Sequence, residues 1–262
     1  MKITIFTSNQ NRHNYFINEL SKICDHLYII QECRSIFPGQ IKDIHGKSKD
    51  MENYFYNVLK AEKEIFKNSE INFSKKNITL LPMLLGDLQK CTLKSIGKFL
   101  SSDIFIVFGS SFIKGEIVNF LIKKKAINIH MGISPYYRGA DCNFWALYDD
   151  NPDLVGATIH YLSKGLDSGS IIYHVISNCY KNPYIYTMST VMGAIQSIIK
   201  KIKSNSLHID RPKKQNLSKQ IKCKKKIDFN DRVIKIFNKK KIYLKKKKNN
   251  NYFINPYLIK KV

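Results

Sequence analysis

The chain has 262 residues, enough for one ordinary domain with an appendage around a core that can fold alone. No run approaches the roughly 18 apolar residues of a membrane span, and "MKITIFTSNQ" turns polar too soon for a secretory signal, so a cytoplasmic protein without a membrane span is expected. The formal charge of +24 is uneven: residues 1–200 hold 23 Lys or Arg against 17 Asp or Glu, a net of +6, and residues 201–262 hold 21 against 3, a net of +18.

In chain order, "MKITIFTS" reads as a strand that ends in the turn-like "SNQNRH", and a helical pattern follows with Tyr15, Phe16, Leu20 and Ile23 on one face. "HLYIIQE" is a second strand, residues 51–67 a long amphipathic helix, and "NITLLPM" a short strand. "DIFIVFGSSFI" is a strongly apolar strand that breaks at Gly109, and "KGEIVNFLIKKK" a helix with Lys in its last turn, where cations suit the helix dipole. The strand "AINIH" comes next. "LVGATIHYL" and "IIYHVIS" are two strands joined by the turn "SKGLDSGS", and residues 184–202 form the last long helix. Strands alternating with helices point to an α/β fold, a mostly parallel sheet with helices on both faces. We divide the chain into a core over 1–180 and, over 181–262, a C-terminal helix with a small Lys-rich subdomain or tail.

The tail carries apolar residues, among them Ile227, Phe229, Val233, Ile234, Ile236, Phe237, Tyr243, Tyr252 and Phe253. Its charge attracts polyanions without choosing between RNA, anionic lipid and nucleotide diphosphates. We read the Lys and Asn drift as a solvated face and expect no nucleic-acid partner. Cys24, Cys33, Cys91, Cys142, Cys179 and Cys223 have no C-x-x-C or His-flanked spacing, so free thiols and no metal site are expected.

The chemistry gathers in "AINIHMGISPYYRGADCNFWAL", residues 126–147. Asn128 and His130 are two apart on a strand and share a face, while Ile127 and Ile129 take the other. The strand stops before Gly132 and Pro135, and carboxyl ends of strands are where open α/β sheets bind ligands. Asp167 sits in the turn "KGLDSGS" between glycines that let backbone approach a neighbour. An Asn, a His and an Asp suit acyl transfer: amide and imidazole donate to a developing oxyanion, and the carboxylate orients the His and helps remove a proton. Tyr136, Tyr137, Arg138, Asn143 and Trp145 follow the His directly, although a Trp is more often core than pocket. His160 alternates with Ile159 and Tyr161 and is read as structural. Asn9, Arg12 and His13, where a loop enters a helix, read equally as an anion site or as a cap and solvated turn.

"NIHMGISPYYRG" followed by "GATIHYLSKGLDSG" resembles the paired signature of the formyltransferases that use N10-formyltetrahydrofolate, over about residues 103–172. The resemblance implies a Rossmann-like formyltransferase fold with Asn128, His130 and Asp167 as the catalytic set. It also implies that Phe108, Gly109 and Ser110, then Gly132, Ile133, Ser134 and Pro135, then Ser163, Lys164, Gly165 and Leu166 line the folate pocket, with no metal. "HMGISPYYRG" with "CNFWALYD" is most similar to the sugar-nucleotide N-formyltransferases of surface polysaccharide (O-antigen) synthesis, especially those acting on GDP-perosamine. That subgroup implies a nucleotide-linked amino sugar near Asn9, Arg12, His13, Tyr137, Arg138 and Asn143, and a homodimer. Ala140 departs from the arginine that some sugar formyltransferases carry there, so their amino-sugar contact does not transfer.

Overall fold

The computed structural model describes residues 1–33, 48–177, 182–208 and 211–244, and the backbone of a short strand at 253–255. Cys179 and Tyr252 lie outside the described residues, and of Phe253 only the backbone is within them. An eight-stranded sheet forms the centre. Its parallel part runs in the order β3 (Ile78–Leu84), β2 (His26–Cys33), β1 (Lys2–Ser8), β4 (Ile104–Phe108), β5 (Ile127–His130). Beyond β5 the antiparallel strands β7 (Ala157–Tyr161), β8 (Ile171–Ile176) and β10 (Phe253–Asn255) extend it. The order reverses between β1 and β4, which opens a crevice above their carboxyl ends.

The alternation of β1 feeds both faces. Ile3 and Ile5 join Phe16, Ile17 and Leu20 of helix α1 (Asn11–Ser21) and Ile195 and Ile198 of the last long helix in one core layer. Phe6 faces the opposite layer with Ile117, Val118 and Leu121 of helix α3 (Gly115–Lys123). Helix α2 (Lys49–Phe66) is capped by the Ser48 hydroxyl, which accepts from Met51 N at 3.1 Å. Helix α5 (Pro183–Lys203) begins with Pro183 beneath an Asn182 cap that accepts from the N–H groups of Tyr184 and Ile185, and ends in Lys200, Lys201 and Lys203. Orphan donors at one end and carbonyls at the other are thus matched by residue type.

The apolar run at 103–113 is a strand to Phe108 and breaks at Gly109 as expected, where, with φ of +76°, the backbone leaves the ladder as a loop. One expectation shifts. Helix α1 begins at Asn11, so Arg12 and His13 belong to its first turn and not to the preceding loop.

The described part of the Lys-rich tail, residues 211–244, packs apolar residues into the fold and leaves lysines on its surface. Strand β9 (Lys222–Lys224) pairs in parallel with β6 (Tyr137–Gly139). Helix α6 (Asp231–Lys239) buries Ile234 and Phe237 against Tyr54 of α2 and Phe144 of helix α4 (Cys142–Tyr148). Burying each such side chain stabilises by about 1.5–3 kcal/mol, while the lysines on the far side of α6 keep their charge in water. Trp145 lies in this aromatic cluster, with Lys222 and Lys224 over its ring at 5.3 and 5.1 Å. No helix among the described residues is long and apolar enough to cross a membrane. Cys24, Cys33, Cys91, Cys142 and Cys223 are free.

Candidate active site

The end of β5 delivers Asn128 and His130 together, as the two-residue alternation requires. The turn between β7 and β8 brings Asp167 across to meet them. Asp167 Oδ2 lies 3.3 Å from His130 Nδ1, and Oδ1 accepts from Asn128 Nδ2 at 3.3 Å. Both His130 and Asp167 are almost entirely shielded, with 6% and 12% of their side chains exposed.

The partners constrain the protonation of both histidines near the site. His130 Nε2 is 3.1 Å from the Tyr137 carbonyl and Nδ1 is 3.3 Å from the Asp167 carboxylate, so each ring nitrogen faces a group that can only accept. His160 Nδ1 is 2.8 Å from the Tyr161 carbonyl, leaving Nε2 to accept from Asn128 Nδ2 at 3.0 Å. The Asn128 amide therefore directs one hydrogen at Asp167 and the other at His160. His160, read from sequence as structural, is part of this network, 3.9 Å from Asp167 Oδ1.

Charge follows from these contacts. Burial opposes ionisation of Asp167, but His130, His160 and the Gly139 N–H outweigh it and hold the carboxyl well below the usual carboxylate range. Burial lowers the His130 pKa from its ordinary value, while Asp167 works in the other direction. An ionised carboxylate therefore faces the buried His130 ring across 3.3 Å, a pair between which a proton can be exchanged.

Three supports hold this geometry. The Gly139 N–H donates to Asp167 Oδ2 at 3.1 Å, and Gly139 cannot be replaced because its φ is +88° and a Cβ would lie 2.1 Å from the Lys224 carbonyl. Arg138 donates to the Leu166 carbonyl and to Gln220 Oε1, tying the Asp167 turn to the C-terminal segment. The loop 132–135 is held by Thr158, whose hydroxyl accepts from Ser134 N and donates to Gly132 O, and by His174 Nε2 at 2.9 Å from Ser134 O.

A fully buried carboxylate, Glu32 at the end of β2, organises the neighbouring edge. It accepts from Gly86 N at 2.7 Å, Ser111 N at 2.5 Å and Ser111 Oγ at 2.8 Å, joining the loops that follow β3 and β4. Leu85 and Phe112, each next to one of those donors, and Leu166 beside Asp167 remain exposed. Gly109 passes the ring of His13, where a Cβ would lie 2.7 Å from Nε2, and His13 packs edge-on against Phe108 at 4.8 Å. The turn residues Ser163, Lys164 and Gly165 lead to Asp167, with Ser163 Oγ bonded to Ser168 Oγ at 2.9 Å.

Several residues assigned from sequence to the acceptor are occupied elsewhere. The Tyr137 phenol is buried, donating to Asp149 Oδ2 at 3.1 Å and accepting from Asn151 Nδ2 at 2.8 Å. Asn143 is buried and accepts from Gly156 N at 3.0 Å, fixing the entry to β7. Arg12 is bound to buried Glu62 through both its N–H and its guanidinium, and Asn9 is buried. Among the described residues no group of three or more His, Cys, Asp or Glu could hold a metal ion.

Residues 91–203 match the family model described as formyl transferase. The chain is similar to a sugar N-formyltransferase from a Shewanella species, at 14% identity over 87% of this chain and 78% of that one, with a TM-score of 0.54. It is similar to a 4-N formyltransferase from Francisella tularensis, at 20% identity over 87% and 77% of the two chains, TM-score 0.52. It is also similar to phosphoribosylglycinamide formyltransferase from Anaplasma phagocytophilum, at 15% identity over 79% and 87%, TM-score 0.50. At these identities the likeness is one of fold.

Proposed function

We propose that this chain, whose residues 91–203 match the formyl transferase family model, is an N-formyltransferase that carries the formyl group of N10-formyltetrahydrofolate to the 4-amino group of a nucleotide-linked 4-amino-4,6-dideoxysugar. GDP-perosamine is the acceptor we propose. The observation that carries the reading is the meeting of Asn128, His130 and Asp167 in one shielded network at the carboxyl end of β5. The sugar as acceptor is supported by the "HMGISPYYRG" form of the loop and by the fold shared with the sugar N-formyltransferase.

The residues present suit a folate. Exposed Leu85, Phe112 and Leu166 offer apolar surface to a flat heterocycle beside the loops of Phe108 to Ser110 and Gly132 to Pro135. The folate supplies an activated one-carbon group at the amide oxidation level. The chain's own residues do the rest. As the neutral amine attacks, charge develops on the formyl oxygen, and Asn128 can meet it by giving up its long 3.3 Å contact to Asp167. Losing one such donor costs about 10²- to 10³-fold in rate. The proton leaving the amine passes to the His130 and Asp167 pair, whose Nδ1 and Oδ2 lie 3.3 Å apart. The proton held by that pair is then available to the folate nitrogen as its bond to the formyl carbon breaks and tetrahydrofolate leaves.

In this reading the acceptor's diphosphate meets the Asn9 to His13 segment, at the first turn of α1. Tyr137 and Asn143 act as supports beneath the site. The test is transfer to a panel of nucleotide-linked 4-amino-4,6-dideoxysugars and to charged initiator tRNA, followed by mass. Transfer to tRNA and to no sugar would remove the proposed acceptor.

A further inference from the structure

The Asp167 turn carries unusual backbone: Asp167 has φ of +44°, a left-handed conformation that a side chain other than glycine's disfavours. Gly139 N–H holds its carboxylate and Arg138 the preceding Leu166 carbonyl, while the carbonyls of Asp167 and Gly169 are held from 48 and 46 residues further on. Gln215 donates from one amide nitrogen, Nε2, to both the Asp167 carbonyl and the Gly169 carbonyl, each at 2.8 Å.

The Gln215 side chain is itself buried, and its Oε1 has no hydrogen-bond partner. A buried amide that leaves its oxygen unsatisfied while spending both hydrogens on one turn is under constraint from that turn. The segment around it is anchored independently: Lys213 and Ile171 exchange backbone hydrogen bonds at 2.8 and 2.7 Å, and β9 pairs with β6.

We propose that Gln215 is a positioning residue for the proposed transfer, holding Asp167 against His130, so that the basic C-terminal segment is part of the working site. This rests on the assignment of Asp167 and His130 to the chemistry. A misplacement of about 1 Å at a reacting group can cost on the order of 10²-fold in rate. The hydrogen bonds that Gln215 makes to the turn go to backbone carbonyls, so its loss acts on the placement of Asp167.

The test uses the full chain with Gln215→Met, which keeps the volume and removes the donors, and Gln215→Asn, which keeps the amide with a shorter reach. For formyl transfer, kcat should fall about 10- to 100-fold in Gln215→Met with KM for the formyl donor changed less than about threefold. The second readout needs no acceptor: the titration of the His130 ring followed by NMR, with and without Asp167→Asn. His130 is faced by Asp167, His160, Arg138 and the Tyr137 carbonyl. In the wild-type background Asp167→Asn should move the His130 titration clearly downward. In the Gln215→Met background the same change should move it little, because Asp167 no longer faces the ring.

An equal shift in both backgrounds, or an unchanged kcat in a folded Gln215→Met protein, would overturn the proposal. If Gln215→Met does not fold, Gln215→Asn decides by the same two readouts. A wild-type protein inactive toward every acceptor while the titration cycle behaves as described would overturn the proposed function and leave the role of Gln215 standing.

Discussion

His174 gives a prediction that can be worked from the structure to a number. Its ring is fully buried on β8, with Nε2 on the Ser134 carbonyl at 2.9 Å and Nδ1 without a hydrogen-bond partner. Burial, with repulsion from His130 and His160, pushes its pKa from 6.5 to about 4 despite the Ser134 contact. The unfolded chain therefore takes up a proton at this residue below pH 6.5 that the folded protein refuses until about pH 4. Over that window the unfolded state binds more protons, so stability falls as the pH falls, by about 3 kcal/mol for a shift of this size. His174→Gln keeps an N–H for the Ser134 carbonyl and removes the titration. Urea unfolding of both proteins at several pH values from 7.5 to 4 should show the wild type losing about 3 kcal/mol more than the variant. Parallel curves would refute the reasoning, since they would mean that a charged His174 is accommodated in the fold.

Glu32→Ala should strand the buried N–H groups of Gly86 and Ser111 and loosen the loops they anchor, costing on the order of 3 kcal/mol in denaturant unfolding and raising KM for the formyl donor more than it lowers kcat. Asn143→Ala removes the acceptor of Gly156 N; the melting temperature should drop by the equivalent of about 1–2 kcal/mol with kcat and KM near wild type, and a selective rise in acceptor KM would instead return Asn143 to the acceptor's surface. His130→Ala and Asp167→Ala should each lose most turnover, of order 10²-fold or more, while circular dichroism shows an intact fold.

The parts of the site that were legible in the sequence are those governed by local periodicity. Asn128 and His130 share a face because strands alternate, and the Gly and Pro after them end the ladder at the sheet edge. The break at Gly109 was visible for the same reason. Residues after position 135 were harder, because residue type does not tell which side of a short strand or helix meets the crevice. Tyr137 lies on β6 with its phenol turned to Asp149 and Asn151, and Asn143 in the first turn of α4 turns to Gly156. His160 obeys the alternation that made it look structural, yet that alternation aims its ring at Asn128. Glu32 and Gln215 left no local signal at all. Their partners are 54 to 79 and 46 to 48 residues away, and only the closure of the sheet brings them together. In the tail, composition showed the Lys-rich solvated face and the apolar residues Ile234 and Phe237, but only the helix that places these two three apart shows where they are buried.

The central claim is that Asn128, His130 and Asp167 move a formyl group from a folate to an amine on a nucleotide-linked sugar. Its most direct test is to mix the protein with N10-formyltetrahydrofolate carrying a labelled formyl carbon and with GDP-perosamine, and to weigh the sugar nucleotide. The account predicts a labelled formamide on the sugar nitrogen, formed by the wild type and lost in His130→Ala. A sugar nucleotide of unchanged mass, with the labelled formyl group still on the folate, would contradict it.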